Sequence, residues 1–180
     1  MINFANFLTI CRIVTTPLLV LLMLADFPMA NWAALTLYIV IAATDWFDGW
    51  VARNYNQTSD FGRVMDPIAD KILVAAMFIA LAANGVITGW WLALPILILM
   101  REFMVAGLRE FLGAKNISVP VTKLAKWKTA TQMIALGFLT MAHTYIDAGI
   151  AGLSLLALAT ILTVVTGLDY ARAAKGHFNP

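Results

Sequence analysis

The sequence predicts an all-α integral membrane protein, and three observations lead to this prediction. Of its 180 residues, 62% are hydrophobic and only 12% are charged, whereas soluble domains average about 45–50% and about 25%. The mean hydropathy of +0.84 indicates more apolar surface than one water-soluble core of this size can bury. The chain also contains five uncharged runs of 13 to 29 residues, close to the length of about 20 residues that spans a bilayer.

The uncharged runs and the turn signals between them divide the chain into six transmembrane helices. The longest run, residues 72–100, carries Asn84-Gly85 and Thr88-Gly89 at its middle, which predicts a turn between two helices. Residues 26–28 and 147–149 predict similar breaks. The predicted spans are approximately residues 10–27, 31–53, 63–84, 89–112, 122–144 and 148–172, within a single domain that covers residues 1–180. Residues 1–9 are too short to cross the bilayer and are expected to lie along its interface.

The distribution of positive charge predicts how these helices are oriented. All 12 lysines and arginines fall in or toward one side of the layout, which the positive-inside rule assigns to the cytoplasm. Both termini are therefore expected on the cytoplasmic side of the cell (inner) membrane. Aromatic side chains lie near the opposite side, where such residues anchor helices at the interface: Trp32, Trp90, Trp91 and Tyr145.

Composition also excludes several classes of protein. The 12 cationic residues are nearly balanced by 10 anionic ones, which argues against a nucleic-acid partner. A disordered chain would be poor in apolar residues. Cys11 is the only cysteine, so the chain has no internal disulfide and no metal-thiolate motif, and His143 and His177 are too distant in sequence to suggest a zinc site.

Four aspartates are the most informative residues, because a carboxylate near the centre of a bilayer costs about 2.5–3.5 kcal/mol. Asp45 and Asp48 are three residues apart and Asp66 and Asp70 are four apart, so each pair lies on one helix face. The polar residues 54–61 connect the two helices into a hairpin, in which the pairs can meet at the cytoplasmic end. Four neighbouring carboxylates repel one another, and hard divalent cations such as Mg²⁺ or Mn²⁺ relieve this repulsion through oxygen ligands. Four ligands suit a site with two ions.

Small and polar residues surround the acidic set. Gly49, Ala52 and Gly62 allow a ligand or another backbone to approach closely, although small residues also mediate packing between membrane helices. Arg53 ends the second helix, where it can bind a phosphate or extend to the interface. Ser59 is a candidate helix cap and a candidate hydrogen-bond donor to phosphate.

A second polar group, on the fourth and fifth helices, predicts an anion-binding site. Arg101 lies well inside its helix, near mid-membrane, where an unpaired cation is unusual without a function. Arg109 follows on the same helix, and Lys126 and Lys128 lie near the start of the next one. These four cations are candidates for binding the phosphate of a charged substrate.

Residues 45–70 resemble the signature of the CDP-alcohol phosphotransferase family, D-x2-D-G-x2-A-R-x8-G-x3-D-x3-D. The eight specified positions, with every spacing kept, are Asp45, Asp48, Gly49, Ala52, Arg53, Gly62, Asp66 and Asp70. Residues 6–12, 101–110 and 126–129 are similar to the bacterial phosphatidylglycerophosphate synthase branch of that family. One difference is Ala125, where this branch often has glycine.

The resemblance implies a six-helix membrane enzyme, a homodimer, with a polar cavity that faces the cytoplasm. Such enzymes transfer a phosphatidyl group from CDP-diacylglycerol to an alcohol and release CMP. The four aspartates would bind two divalent ions (Mg²⁺ or Mn²⁺), and Asp70 would also act as the general base. Contacts to CDP-diacylglycerol are implied for Asn6, Gly49, Arg53, Ser59 and Gly62. The cationic group favours sn-glycerol 3-phosphate as the acceptor, with its phosphate bound by Arg101, Arg109, Lys126 and Lys128.

The sequence leaves alternatives open. A related enzyme would use inositol phosphate, serine or phosphatidylglycerol as its acceptor. A cation or proton transporter also places carboxylates inside the membrane, although no acidic residue continues across the second and third helices here. A non-catalytic scaffold would not depend on Asp70 for lipid synthesis.

Overall fold

The computed structural model describes residues 4–27, 29–54, 60–115, 117 and 123–175, without the side chains of residues 4–5, 45–54, 60, 63, 114, 123 and 173–175. The described part of the chain is all-helical, as predicted. Its six α-helices are α1 (Phe4–Leu24), α2 (Ala30–Asn54), α3 (Asp60–Ala83), α4 (Ala93–Ala114), α5 (Lys123–Thr140) and α6 (Ile146–Lys175). A short 3₁₀ helix, Gly89–Leu92, directly precedes α4.

The turn between α3 and α4 confirms the glycine signals in the sequence. Gly85 has a φ of +80° and Gly89 a φ of +56°, in the left-handed region that glycine adopts without steric cost. The amide of Val86 and that of Ile87 both donate to the carbonyl of Leu81, each at 3.0 Å, which closes the end of α3. The longest uncharged run is therefore two helices, as predicted.

The start of α1 differs from the prediction. This helix begins at Phe4, so residues 4–9 are its first turns, and the prediction of a helix that starts at residue 10 is wrong. The buried residues of α1 recur every three or four positions, and Asn6 and Thr9 (4% and 2% exposed) are the first of them. This stripe continues through Arg12, Thr16, Leu19 and Met23, so the helix packs along its whole length through one face.

The end of α5 also differs from the prediction. The helix ends at Thr140, four residues early, because the carbonyl of Met141 accepts hydrogen bonds from the amides of Thr144 (3.0 Å) and Tyr145 (2.9 Å). The break predicted at 147–149 therefore lies at 141–145. Asp147 is instead in the first turn of α6, where a negative charge interacts favourably with the helix dipole.

The chain divides into two compact units. Unit 1 comprises Met1–Ile87 and Thr140–Ile146, and unit 2 comprises Thr88–Leu139 and Asp147–Pro180. The single domain that the sequence suggests stays a prediction.

In unit 1, α1 packs against both α2 and α3. Hydrogen bonds join Thr9 to Asp66 and Arg12 to Asp70. The later residue of α1 thus contacts the later residue of α3, which shows that the two helices run parallel. Apolar side chains of α3 such as Leu73, Met77 and Leu81 are at most 3% exposed and form the core of this unit.

Two of the predicted interfacial aromatic residues lie in unit 1, at the end away from Asp66 and Asp70. The rings of Trp32 and Tyr145 meet edge to face, with centroids 6.3 Å apart, a favourable geometry for aromatic pairs. Beside them, the side chain of Asn31 donates to the hydroxyl of Thr144 at 3.0 Å, and Nε2 of His143 lies 3.0 Å from the carbonyl of Asn84. His143 therefore contacts the backbone at the end of α3, and it is far in sequence from the four aspartates.

In unit 2, α5 and α6 approach closely at Gly152. A Cβ atom at this position would lie 2.7 Å from Cγ and 3.0 Å from the backbone nitrogen of Leu139. Leu139, Leu136 and Leu156 are fully buried. A small residue at a helix contact of this kind is typical of packing between membrane helices.

Three helical segments of the described chain are long and apolar enough to cross a membrane: Asn6–Leu24, Gly89–Gly113 and Ile146–Arg172. A shorter apolar stretch, Ala30–Thr44, lies in α2. Charged residues interrupt the apolar sequence of α3 and α5, as at Asp66, Asp70 and Lys128. The six predicted spans are thus confirmed as helices, and their number across a membrane stays a prediction.

We expect Gly152→Ala to destabilise the protein, because the added methyl group would lie only 2.7 Å from Cγ and 3.0 Å from the backbone nitrogen of Leu139. Overpacking of this kind costs about 1–3 kcal/mol. Gly107→Ala is the matched control, since a Cβ at Gly107 meets no described atom within 4 Å and alanine favours a helix. The free energy of unfolding in mixed detergent micelles should fall for the first variant and not for the second. Equal values for both would show that the close approach has no energetic consequence.

Candidate active site

Two of the four predicted metal-binding aspartates, Asp66 and Asp70, lie one turn apart on α3. Each accepts a hydrogen bond from α1. The hydroxyl of Thr9 donates to Oδ1 of Asp66 at 2.5 Å, and Nη1 of Arg12 donates to Oδ1 of Asp70 at 2.8 Å. The donors are buried, whereas the Asp70 side chain is 53% exposed. Buried donors on α1 therefore orient two exposed carboxylates.

The sequence of α1 explains why these donors meet α3. Thr9 and Arg12 are three residues apart and Asp66 and Asp70 four apart, so each pair lies on one face of its helix. Because the two helices run parallel, the pairs meet in the same order. The contact between Arg12 and Asp70 is charge-assisted, and such hydrogen bonds are roughly twice as strong as neutral ones.

The remaining residues of the predicted donor site are described to different extents. Asp45, Asp48, Gly49 and Arg53 lie within α2, and their side chains are outside the described part. Ser59 lies outside the described residues altogether. Asn6 and Gly62 are buried in unit 1, on α1 and α3 respectively.

The described residues fit part of a divalent-metal site. Within the described side chains, no group of three Asp, Glu, His or Cys residues is close enough to bind one ion, and two of the four predicted ligands are not among them. Asp66 and Asp70 supply exposed carboxylate oxygens, which are the donors that Mg²⁺ and Mn²⁺ prefer. Thr9 and Arg12 donate hydrogen bonds that orient these carboxylates. Metal ligands are usually oriented in this way by residues that do not touch the metal.

In unit 2, a carboxylate joins two of the four predicted phosphate-binding cations. Glu102 of α4 accepts a hydrogen bond from Nη1 of Arg101 at 3.2 Å and another, through the same Oε1 atom, from Nζ of Lys128 on α5. Nη2 of Arg101 donates to the hydroxyl of Thr166 on α6 at 3.0 Å. The side chains of Arg101 and Lys128 are 10% and 6% exposed. Three helices thus contribute to one polar cluster.

A third predicted cation, Arg109, belongs to the same cluster through Tyr170 of α6. Its Nε and Nη2 atoms donate to the Tyr170 hydroxyl at 3.2 and 2.7 Å. The guanidinium carbons of Arg101 and Arg109 lie 5.9 and 5.3 Å from the centroid of the Tyr170 ring, within the range of cation–π interactions. We call Arg101, Glu102, Arg109, Lys128, Thr166 and Tyr170 the cationic cluster.

Lys126 is the predicted phosphate ligand that these contacts do not include. It is exposed and lies two residues before Lys128, so the two lysines point to different sides of α5. Its role in phosphate binding stays a prediction.

Sequence reasoning missed several residues that hold the site together. Thr9 and Arg12 appear in the family resemblance without a role, and Glu102, Thr166 and Tyr170 were not assigned one. The signal for the last two is their spacing, since Thr166 and Tyr170 are one turn apart and share a face of α6. Spacing alone does not show which helix they contact.

Comparison with known proteins identifies the class. The model of the family described as CDP-alcohol phosphatidyltransferase matches residues 2–166, and the chain belongs to this family. A relative from Rickettsia bellii is 41% identical over 98% of this chain and 97% of its own length. A relative from Salmonella typhimurium is 35% identical over 97% and 96%, and one from Cereibacter sphaeroides is 48% identical over 74% and 61%. All three are named CDP-diacylglycerol–glycerol-3-phosphate 3-phosphatidyltransferase.

We expect Arg12→Gln to lower the free energy of unfolding by about 1–2 kcal/mol, less than a fully buried pair costs, because Asp70 can regain water when its partner is lost. Arg172→Gln is the control. Arg172 lies 3.8 Å from Asp169, and both side chains are largely exposed (77% and 48%), so this pair contributes about 0–1 kcal/mol. Unfolding in mixed micelles should separate the two variants. A loss at Arg12 no greater than that at Arg172 would contradict a structural role for the contact between α1 and α3.

Proposed function

We propose that this protein transfers a phosphatidyl group from CDP-diacylglycerol to sn-glycerol 3-phosphate, giving phosphatidylglycerol phosphate and CMP. The observation that carries the proposal is the complete family signature, in which all eight specified residues occur at the required spacing within 26 positions. Family membership supports the reaction type. The names of full-length relatives support the choice of both substrates.

The acidic residues of α2 and α3 form the catalytic centre in this proposal. Asp45, Asp48, Asp66 and Asp70 would hold two divalent ions, Mg²⁺ or Mn²⁺, which neutralise the charge of the diphosphate when bound. Thr9 and Arg12 hold the two α3 carboxylates in place. Asn6, Gly49, Arg53, Ser59 and Gly62 would bind the cytidine diphosphate part of the donor, whose acyl chains stay in the lipid.

Asp70 would act as the general base. It accepts the proton of the acceptor hydroxyl, whose oxygen attacks the phosphorus atom that carries the diacylglycerol. The bond from this phosphorus to the bridging oxygen breaks, and CMP leaves with that oxygen. The contact from Arg12 to Oδ1 fixes the orientation of the Asp70 carboxylate, and a base must come within about 2.6–3.2 Å of the hydroxyl that it deprotonates.

The cationic cluster would bind the phosphate of the acceptor, together with Lys126. Arginine and lysine donate charge-assisted hydrogen bonds to phosphate oxygens. A neutral acceptor such as serine would not need three neighbouring cations, two of them buried, so the cluster favours glycerol 3-phosphate. Inositol phosphate and phosphatidylglycerol also carry a phosphate, and this argument does not separate them from glycerol 3-phosphate.

The membrane arrangement is part of the same proposal. Six helices would cross the cell (inner) membrane, with both termini and a polar cavity on the cytoplasmic side, where both substrates are accessible. The protein would act as a homodimer. A transporter that uses intramembrane carboxylates is the alternative from another class, and it predicts ion flux without release of CMP.

We expect Asp70→Asn to reduce CMP release by at least about 100-fold, since loss of a general base typically costs this much or more. The variant should still insert in the membrane, because asparagine keeps the shape of the aspartate side chain and an oxygen that can accept from Arg12. Asp147→Asn is the control, as Asp147 is exposed in the first turn of α6. Retention of full activity by Asp70→Asn would contradict the assignment of the base.

The choice of acceptor is tested with purified protein in detergent or vesicles. CDP-diacylglycerol is supplied with glycerol 3-phosphate, inositol phosphate, serine or phosphatidylglycerol, and CMP is measured with and without Mg²⁺. We expect CMP release that requires both Mg²⁺ and glycerol 3-phosphate. Turnover with a different acceptor alone would replace the proposed substrate, and ion flux without CMP would favour the transporter.

A further inference from the structure

Tyr170 is a buried side chain that contacts two of the cations assigned to the acceptor. It is 3% exposed. Its hydroxyl accepts two hydrogen bonds from Arg109, and its ring lies beside the guanidinium groups of both Arg101 and Arg109. The hydroxyl and the ring therefore restrict two long side chains that would otherwise have many rotamers.

Glu102 restricts a second pair of cations, Arg101 and Lys128. Its Oε1 atom accepts from both Arg101 and Lys128, which brings two like charges to one carboxylate oxygen. Without that carboxylate, the two buried cations would repel each other. Glu102 therefore sets the separation between them.

Gly167 allows the Arg101 side chain to pass between α4 and α6. A Cβ atom at Gly167 would lie 2.8 Å from Cγ of Arg101, closer than atoms that are not bonded normally approach. One turn of α6 thus contacts Arg101 at three places. Gly167 leaves room for its stem, Thr166 accepts a hydrogen bond from its end, and the Tyr170 ring lies beside its guanidinium group. The position of this arginine is therefore set by contacts at its stem and at both of its terminal nitrogens.

The charge of the cluster matches a phosphate monoester. Arg101, Arg109 and Lys128 contribute +3 and Glu102 contributes −1, which leaves +2 among the described members of the cluster. A phosphate monoester carries about −1.5 to −2 near neutral pH. A neutral alcohol would leave the surplus charge of the cluster uncompensated.

We propose that Tyr170 and Glu102 are positioning residues for the acceptor, which hold the cations in a geometry selective for a phosphate-bearing alcohol over a neutral one. This inference rests on the proposed function. Neither residue needs to touch the acceptor. Both act by holding rotamer-rich side chains in place before binding, which reduces the entropy lost when the acceptor binds.

The first test is Tyr170→Phe, which removes only the hydroxyl and keeps the ring and its packing. We expect the KM for glycerol 3-phosphate to rise about fivefold, equivalent to about 1 kcal/mol. The KM for CDP-diacylglycerol and the kcat should stay within about twofold, because the effect of one immobilised side chain is confined to acceptor binding. Tyr145→Phe is the matched control, since Tyr145 is 52% exposed at the Trp32 contact in unit 1.

The second test is Glu102→Gln, with Glu110→Gln as the control. Glu110 is the only other glutamate of the chain, and it is exposed on the same helix. We expect the KM for glycerol 3-phosphate to rise about tenfold in Glu102→Gln, a change of about 1.4 kcal/mol. Glu102→Asp, which restores the charge, should recover part of this loss.

Three results would overturn the inference. One is an unchanged KM for glycerol 3-phosphate in Tyr170→Phe, and another is an equal rise in the KM for both substrates, which would indicate general damage to the fold. The third is a wild-type protein that uses glycerol as well as glycerol 3-phosphate. If the wild-type protein releases no CMP with glycerol 3-phosphate, the proposed function itself fails, and the two failures are thus distinguishable.

Discussion

Compensation of carboxylate charge by α1 is the interaction on which the rest of the site depends. An isolated carboxylate in an apolar environment is costly, and α3 carries Asp66 and Asp70 one turn apart. The buried Thr9 and Arg12 donate to them. The polar half of the buried face of α1 therefore binds the α3 carboxylates, a role that hydropathy alone does not indicate. The apolar half, with Leu19 and Met23, packs the same helix against the core.

Unit 2 solves the opposite problem, because its buried groups are cations. Glu102 accepts hydrogen bonds from the buried Arg101 and Lys128, and the Tyr170 hydroxyl accepts from the exposed Arg109, so the cluster keeps a positive surplus. In unit 2, Gly152 and Gly167 bring α6 close to Leu139 and Arg101, so a larger residue at either position would displace a neighbouring side chain of the apolar core or of the cationic cluster.

Much of the fold follows from composition and periodicity. Uncharged runs predicted all six helices, and the glycine turn between α3 and α4 was correct, since a positive φ is a local property of the chain. The start of α1 was wrong because Asn6 and Thr9 look polar in the sequence but are buried against a neighbouring helix. The end of α5 depends on hydrogen bonds to the carbonyl of Met141. The residue types in this segment do not indicate that these bonds form.

The site was predictable where chemistry repeats at a fixed spacing. Asp66 and Asp70 were found from their periodicity, and Arg101 and Lys128 from charge within an apolar region. Glu102 and Tyr170 were missed as members of the cluster because their importance comes from contacts between helices far apart in sequence. The pairing of Asp45 and Asp48 with the α3 aspartates depends on side chains beyond those described, and it remains the main prediction from the signature.

Binding of Mn²⁺ to the purified protein, followed by electron paramagnetic resonance, tests that prediction most directly, since it needs no substrate. Two ions per chain are expected, and replacing one aspartate from either helix, as in Asp48→Asn of α2 or Asp66→Asn of α3, should weaken binding by at least about tenfold. Binding that depends on α3 alone, or that neither substitution affects, would contradict a metal site shared by the two helices.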